Sequence, residues 1–359
     1  MHRILPYSLA FVLTAAGLSQ TIVNGRRAAV LESSAARVVI NLGGGSITAF
    51  QLKGRDLNPL TWASNGEATE ARPMGHFLCL DRWGQPSEAE QRNGMPFHGE
   101  ASRVDWTLLS NDGKRAELEA ALPMAALTVR RTAKLAPDQA LLTVEETITN
   151  RNKLGRIYNV VQHVTIGPPF LDESTLVDAN AGRGFMQGGA LPNPEEPSVV
   201  WPDALRRDGR TVNLRHLADD PNPNVVSYVI DDEIGWTTAS NAGQGLLVGY
   251  VWKTADYPWF NAWRNVEHGR PAARGLEFGT TGLHQPYPVL VKKGFIFGRP
   301  LYTYIDAGES VTRRYAAFLL KIPQEYQGVD RITYQDGRIQ VIERGSGRLL
   351  TIHAGPILE

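Results

Sequence analysis

Residues 127–150, LTVRRTAKLAPDQALLTVEETITN, hold two runs rich in Val, Leu, Ile and Thr, 127–135 and 140–150, on either side of Pro137-Asp138. Apolar and β-branched runs of this length, split by a turn dipeptide, predict two antiparallel strands. Similar runs recur upstream at 38–42, 46–52, 104–109 and 116–122. Downstream they recur at 157–166, 225–230, 235–240, 246–252, 301–305, 311–321, 331–334, 339–343 and 349–353. Gly43-Gly44-Gly45, Asn111-Asp112-Gly113, Asn241-Ala242-Gly243, Asp306-Ala307-Gly308 and Asp336-Gly337 punctuate them as turns. Regular helices are scarce, and 86–92 is the best short candidate. Many short strands, tight turns and few helices predict an all-β, antiparallel sandwich rather than βαβ units.

No internal repeat or low-complexity linker divides the chain. Residues 172–224 are rich in Gly, Pro, Asn and Asp but carry Phe185, Met186, Val199, Val200, Trp201 and Leu214, so they read as a structured excursion of the kind that borders a site. Residues 21–359 are therefore expected to form one domain, with C-terminal hairpins at about 330–353 pairing at an edge. Residues 1–20, MHRILPYSLAFVLTAAGLSQ, have a basic start, an apolar stretch and small residues after it, the pattern of a secretory signal peptide. The rest is expected to be exported, periplasmic or extracellular, with no membrane partner after cleavage. Lys plus Arg and Asp plus Glu are balanced at 37 each, which offers no field to attract nucleic acid. The single Cys79 rules out an intrachain disulfide framework and reads as a buried hydrophobe.

Three segments could carry chemistry. The first is 256–288, DYPWFNAWRNVEHGRPAARGLEFGTTGLHQPYP, whose Gly and Pro content predicts no long regular element and a segment built to present side chains. Glu277, in an apolar run entering a Gly/Thr turn, is either a pocket carboxylate or an edge carboxylate paired with Arg274. Tyr257, Trp259, Phe260 and Trp263 can offer flat faces to a sugar ring, and Asp256, Asn261, Arg264 and His284 can read hydroxyls, unless the aromatics are core. The second segment is 94–106, GMPFHGEASRVDW, with His98 on an irregular stretch; upstream, 75–83 carries His76, Asp81, Arg82 and Trp83. Arg82 could donate to a sugar or pair with Asp81 or Glu88. The third is 158–170, YNVVQHVTIGPPF, where alternation puts Val161, His163 and Thr165 on one face and Val160, Gln162 and Val164 on the other. No HExxH, close His/Cys pair or Asp-rich loop suggests a metal, and no nucleophile elbow, Walker loop or dinucleotide fingerprint suggests acyl transfer or a nucleotide cofactor.

The order of these segments, GGGSITAF, then GHFLCLDR, FHGEASRVDW, QHVTIGPPF and RGLEFGTTG, resembles the aldose 1-epimerase, or galactose mutarotase, superfamily over roughly residues 37–321. The resemblance implies a β-supersandwich and interconversion of sugar anomers without metal or cofactor. It implies Glu277 as base on the anomeric hydroxyl and protonated His163 as acid on the ring oxygen, on opposite sides of the reacting centre. His98 would orient the sugar, and Arg82 and Asp256 would fix hydroxyls. The sugar itself, a monosaccharide or oligosaccharide, stays open. Two other readings stay open beside it: a non-catalytic carbohydrate-binding protein, and a polysaccharide lyase or hydrolase relative, which a cleft lined by Arg82, Arg264, Arg270 and Arg274 would favour. Geometry discriminates, because His163 and Glu277 more than about 10 Å apart could not both reach one small sugar.

Overall fold

The computed structural model describes residues 20–64, 70–216, 222 and 224–358, so the predicted signal peptide lies outside the described residues apart from Gln20. In it the 127–150 segment forms the expected hairpin, Leu127–Leu135 against Leu141–Asn150. Leu127, Val129, Ala133 and Leu135 of one strand and Leu142, Val144 and Ile148 of the other face the core. Arg131 and Glu146 lie on that same face, directly opposite one another in register. Both are buried, and they form an ion pair at 2.7 Å. The Arg131 guanidinium lies over the Trp106 ring and donates to the Gly45 carbonyl.

Two antiparallel sheets face each other across this core, an all-β sandwich. The larger runs Thr21–Val23, Arg26–Glu32, Ala36–Asn41, Ile47–Leu52, His76–Asp81, Arg156–Ile166, Arg270–Gly279, Trp259–Glu267, Val225–Ile230, Ala181–Met186 and Val199–Val200, with Thr303–Ile305 also paired to Arg156–Ile166. The smaller runs Leu176–Ala179, Ile234–Asn241, Leu246–Lys253, Ser310–Lys321, Leu141–Asn150, Leu127–Leu135, Arg115–Leu122 and Thr107–Asn111. Strand alternation fills the space between them: Leu78, Val160, Leu276 and Phe278 meet Val144, Val248, Tyr315 and Leu319. Burying two such faces is the main source of stability for a chain with no disulfide.

Two expectations need correction. The C-terminal strands Val329–Gln335, Arg338–Glu343 and Leu349–His353 do not pair at an edge; they form a separate sheet. Their Ile332, Ile339, Val341 and Ile352 cover Leu141, Trp236, Leu247, Val251 and Phe318 on the outer face of the smaller sheet. Those strands are apolar on both faces, so a third layer is what removes the second face from water. The 256–288 window, expected to lack a long element, contains the hairpin Trp259–Glu267 and Arg270–Gly279, turned at His268-Gly269 with both residues at positive φ. It then continues into a helix, Tyr287–Lys293, with prolines at its start. The expected helix at 86–92 is present as Glu88–Arg92, closed by a capping box between Ser87 and Glu90.

Candidate active site

The strands His76–Asp81, Arg156–Ile166, Arg270–Gly279 and Trp259–Glu267 are consecutive at the centre of the larger sheet. Their outer faces carry Phe77, then His163 and Thr165, then Glu277, then Trp263. His163 and Glu277 are cross-strand neighbours, since they lie between the paired positions Gln162 with Phe278 and Thr165 with Gly275. Gly275 makes room for the carboxylate, because a Cβ there would sit 2.8 Å from the Trp263 Cβ and 2.9 Å from Glu277 Oε1. The loop carrying His98 crosses over this face. Gly99 permits the crossing, since its φ is +77° and a Cβ would lie 2.1 Å from the Leu80 carbonyl oxygen. His98 itself has φ +67°, a conformation non-glycine residues rarely keep without compensation.

Together these elements enclose a cavity of about 300 Å³ walled by Trp62, Phe77, Trp83, Phe97, Trp263 and Val225. His98, His163, Glu277 and His284 supply its titratable groups, with Arg103 at its wall. His163 Nε2 lies 3.2 Å from Glu277 Oε1. The other ring nitrogen, Nδ1, is 2.9 Å from Thr165 Oγ1. Trp83 donates its indole N–H to Glu277 Oε2 at 2.8 Å. Phe77 stacks on the His163 ring at 4.2 Å between centroids, which fixes the imidazole plane. His98 Nδ1 accepts the Gly84 N–H at 3.0 Å, so the neutral ring carries its proton on Nε2 and is a donor there. The His284 ring meets Trp83 edge-on at 4.6 Å and His98 at 5.5 Å.

Burial drives the electrostatics. It pushes Glu277 well above the usual carboxylate value, and the Trp83 N–H pulls the other way. It pulls His163 down to about 3, with His284 adding to the effect. His98 is drawn well below its ordinary value by burial and by the neighbouring His163 and His284, and burial alone takes His284 to about 4. Among the described residues no Arg or Lys forms an ion pair with Glu277. Burial thus favours an uncharged pair, with one proton shared along the His163–Glu277 contact. In that state Glu277 O–H donates to Nε2 and Nδ1–H donates to Thr165. Moving the proton to Nε2 leaves the Thr165 bond unchanged and adds the Trp83 N–H to a carboxylate. The site can therefore present one acid and one base in either order.

Of the residues singled out in the sequence, the structure brings His98, His163, Glu277, Trp263 and His284 to this cavity. The others assigned a role do not line it, and Tyr257 and Phe260 are core residues between the two sheets. Arg82 is buried in ion pairs with Asp81 at 2.6 Å and Glu90 at 2.8 Å, because the strand ends at Asp81 with positive φ. Asp256 lies beside Arg313 at 3.7 Å, half-buried. Trp259 is core, packed on Phe185 with its N–H donated to the Pro300 carbonyl. Asn261 is fully buried opposite Glu277 in register and donates to the Thr281 carbonyl at 3.2 Å. Arg274 is not a partner of Glu277 either; three residues away, it points to the core face and donates to the Leu214 carbonyl. Trp62, Phe77 and Trp83 were not assigned a role from the sequence. Trp83 stands next to Arg82 in the sequence, yet Trp83 reaches the carboxylate while Arg82 turns to its ion pairs. Among the described residues no group of three or more His, Cys, Asp or Glu side chains is arranged to hold a metal ion.

No family model and no curated protein matches the chain. Solved structures do. A galactose mutarotase related enzyme from Lactobacillus acidophilus superposes with a TM-score of 0.62 at 13% identity, over 84% of this chain and 100% of the other. A galactose mutarotase-like protein from Clostridium acetobutylicum gives 0.61 at 12%, over 85% and 98%. One from Lactobacillus casei gives 0.60 at 15%, over 82% and 100%. The chain has the galactose mutarotase-like fold.

Proposed function

We propose that this protein is an aldose 1-epimerase. The observation that supports the reading best is the His163–Glu277 pair, 3.2 Å apart in a small aromatic-walled cavity, with no Arg or Lys among the described residues paired to Glu277. The sequence reading put base and acid on opposite sides of the reacting centre, whereas here they are in contact. Contact suits the chemistry, because the hemiacetal bears both its reacting oxygens on one carbon. Glu277 takes the proton of the C1 hydroxyl and His163 gives one to the ring oxygen. The C1–O5 bond breaks to an open-chain aldehyde, C1–C2 rotates, and the reverse transfers close the other anomer. The pair ends as it began, so no further reactant is needed. The His98 Nε2–H is a donor for a hydroxyl, and Trp62, Trp83, Phe97 and Trp263 supply faces for the C–H side of the ring.

The arginines that would mark a lyase do not converge. Arg82 is in buried ion pairs and Arg264 and Arg274 are on the core face, while Arg270 borders a separate hollow with Glu267 and His268. Anomer exchange followed by polarimetry or NMR on freshly dissolved aldoses tests the reading. Wild-type protein is expected to speed exchange and Glu277→Gln to lose the effect; equal rates for the two would leave a sugar-binding protein in its place.

A further inference from the structure

A second hollow of about 630 Å³, twice the volume of the His163–Glu277 cavity at about 300 Å³, opens beside it. The two share Asn224, Val225 and His284 as walls, so they are chambers of one cleft. The outer chamber is built largely from residues 186–209 of the excursion, with Asn222 and Asn224. Gln187 ties it to the inner one: its amide N–H groups go to Ser227 Oγ and the Gly282 carbonyl, both at 2.6 Å, and its carbonyl accepts the His284 N–H at 2.9 Å. Its lining combines apolar Met186, Pro194 and Leu205 with the charged Glu196 and Arg207. Apolar floor and charged rim match the two sides of a pyranose, one of C–H groups and one of hydroxyls. Sites for small molecules span roughly 300–1,000 Å³, and the inner cavity alone is at the bottom of that range.

We infer that the substrate is a reducing glycan of at least two residues, with its reducing-end ring over His163 and Glu277 and the next residue in the outer chamber. The inference rests on the epimerase reading, and the glycosidic bond stays intact, since only the C1 hemiacetal reacts. Gly188 lines the outer chamber, and a Cβ there would meet no atom within 4 Å, so Gly188→Trp can fill the chamber without straining the backbone. The experiment compares anomer exchange of reducing disaccharides with that of their reducing-end monosaccharides, for wild type and Gly188→Trp. Wild type is expected to show a kcat/KM for one or more disaccharides about tenfold or more above the monosaccharide, a gain of about 1.4 kcal/mol. Gly188→Trp is expected to lose that gain and keep the monosaccharide rate. Equal values for mono- and disaccharides in wild type, or an equal fall for both in the variant, would overturn the inference and leave the epimerase reading standing. If neither sugar exchanges faster than in buffer, the epimerase reading fails by itself. Calorimetry then decides the subsite: tighter disaccharide binding that Gly188→Trp abolishes upholds it, and equal binding in both proteins overturns it.

Discussion

Gln162 and His163 are consecutive on one strand and belong to two different chemistries. Gln162 faces the core, where its amide donates to Glu146 Oε2 at 2.6 Å and its carbonyl meets His76 Nε2 at 3.0 Å. Glu146 is completed there by Arg131. His163 faces the outer cavity, where Glu277 has a neutral-capable imidazole and an indole N–H but no guanidinium. Both carboxylates are fully buried. The difference is the paired cation: Arg131 forms an ion pair with Glu146, whereas among the described residues no Arg or Lys pairs with Glu277, which leaves it able to gain and lose a proton.

The sharpest way to break this comparison is to neutralise each carboxylate in turn. Glu277→Gln is expected to lower kcat for anomer exchange by about 10²–10⁴-fold while the denaturation midpoint stays close to wild type. Glu146→Gln should do the reverse. It leaves Arg131 buried and uncompensated, which costs about 3–5 kcal/mol by urea titration, with kcat of the folded protein unchanged. If both variants lose activity and stability together, the two faces are not separate.

Trp83→Phe sharpens the outer side. Losing an N–H to a charged group costs about 1.5–3 kcal/mol, hence roughly 10–100-fold in kcat. It also raises Glu277 further, because the indole favours the carboxylate. The pair works while it holds one proton. Rising pH removes it through the raised Glu277, so the alkaline limb should move to higher pH in Trp83→Phe. Falling pH adds a second proton only through His163 at about 3. Wild-type activity should therefore show no acid-side loss near pH 6.5; such a loss would show that His163 titrates as a solvated imidazole. The core side has its own pH signature. His76 is held at about 3 by burial and by Arg131, so the unfolded chain takes up a proton first as pH falls. Its contribution to stability is complete above about 6.5 and is lost progressively toward 3. The smallest effect is expected from Thr165→Val, which removes a neutral hydrogen bond of about 0.5–1.5 kcal/mol behind His163 and should lower kcat by roughly tenfold or less. No loss at all would mean that Phe77 stacking alone fixes the ring.

Alternation made much of the fold legible in advance. Most runs in 38–353 match observed strands within a residue or two, because half-buried strands must alternate and turns must carry Gly, Asn, Asp or Pro. The 256–288 window was misread for a local reason. Gly275 and Gly279 look like strand breakers, yet they stand in mid-strand and at its end where Trp263, Glu277 and Val161 leave no room for a Cβ. The C-terminal strands were placed at an edge because nothing local distinguishes a strand that extends a sheet from one that caps its face.

Read alone, the sequence yields the strand-rich class, the opposite faces of Gln162 and His163, and the short list of His98, His163 and Glu277 as candidate catalytic residues, with His284 as a reader of hydroxyls. Side-chain type and period suffice for those. Only the packing of the strands sets that Glu277 meets His163 and Trp83 rather than Arg274, that Arg82 is in buried ion pairs away from the cavity, and that residues 186–209 line a second chamber beside His284. Those outcomes depend on which strands lie side by side across more than a hundred residues of chain, and on which carboxylate the packing leaves without a paired cation.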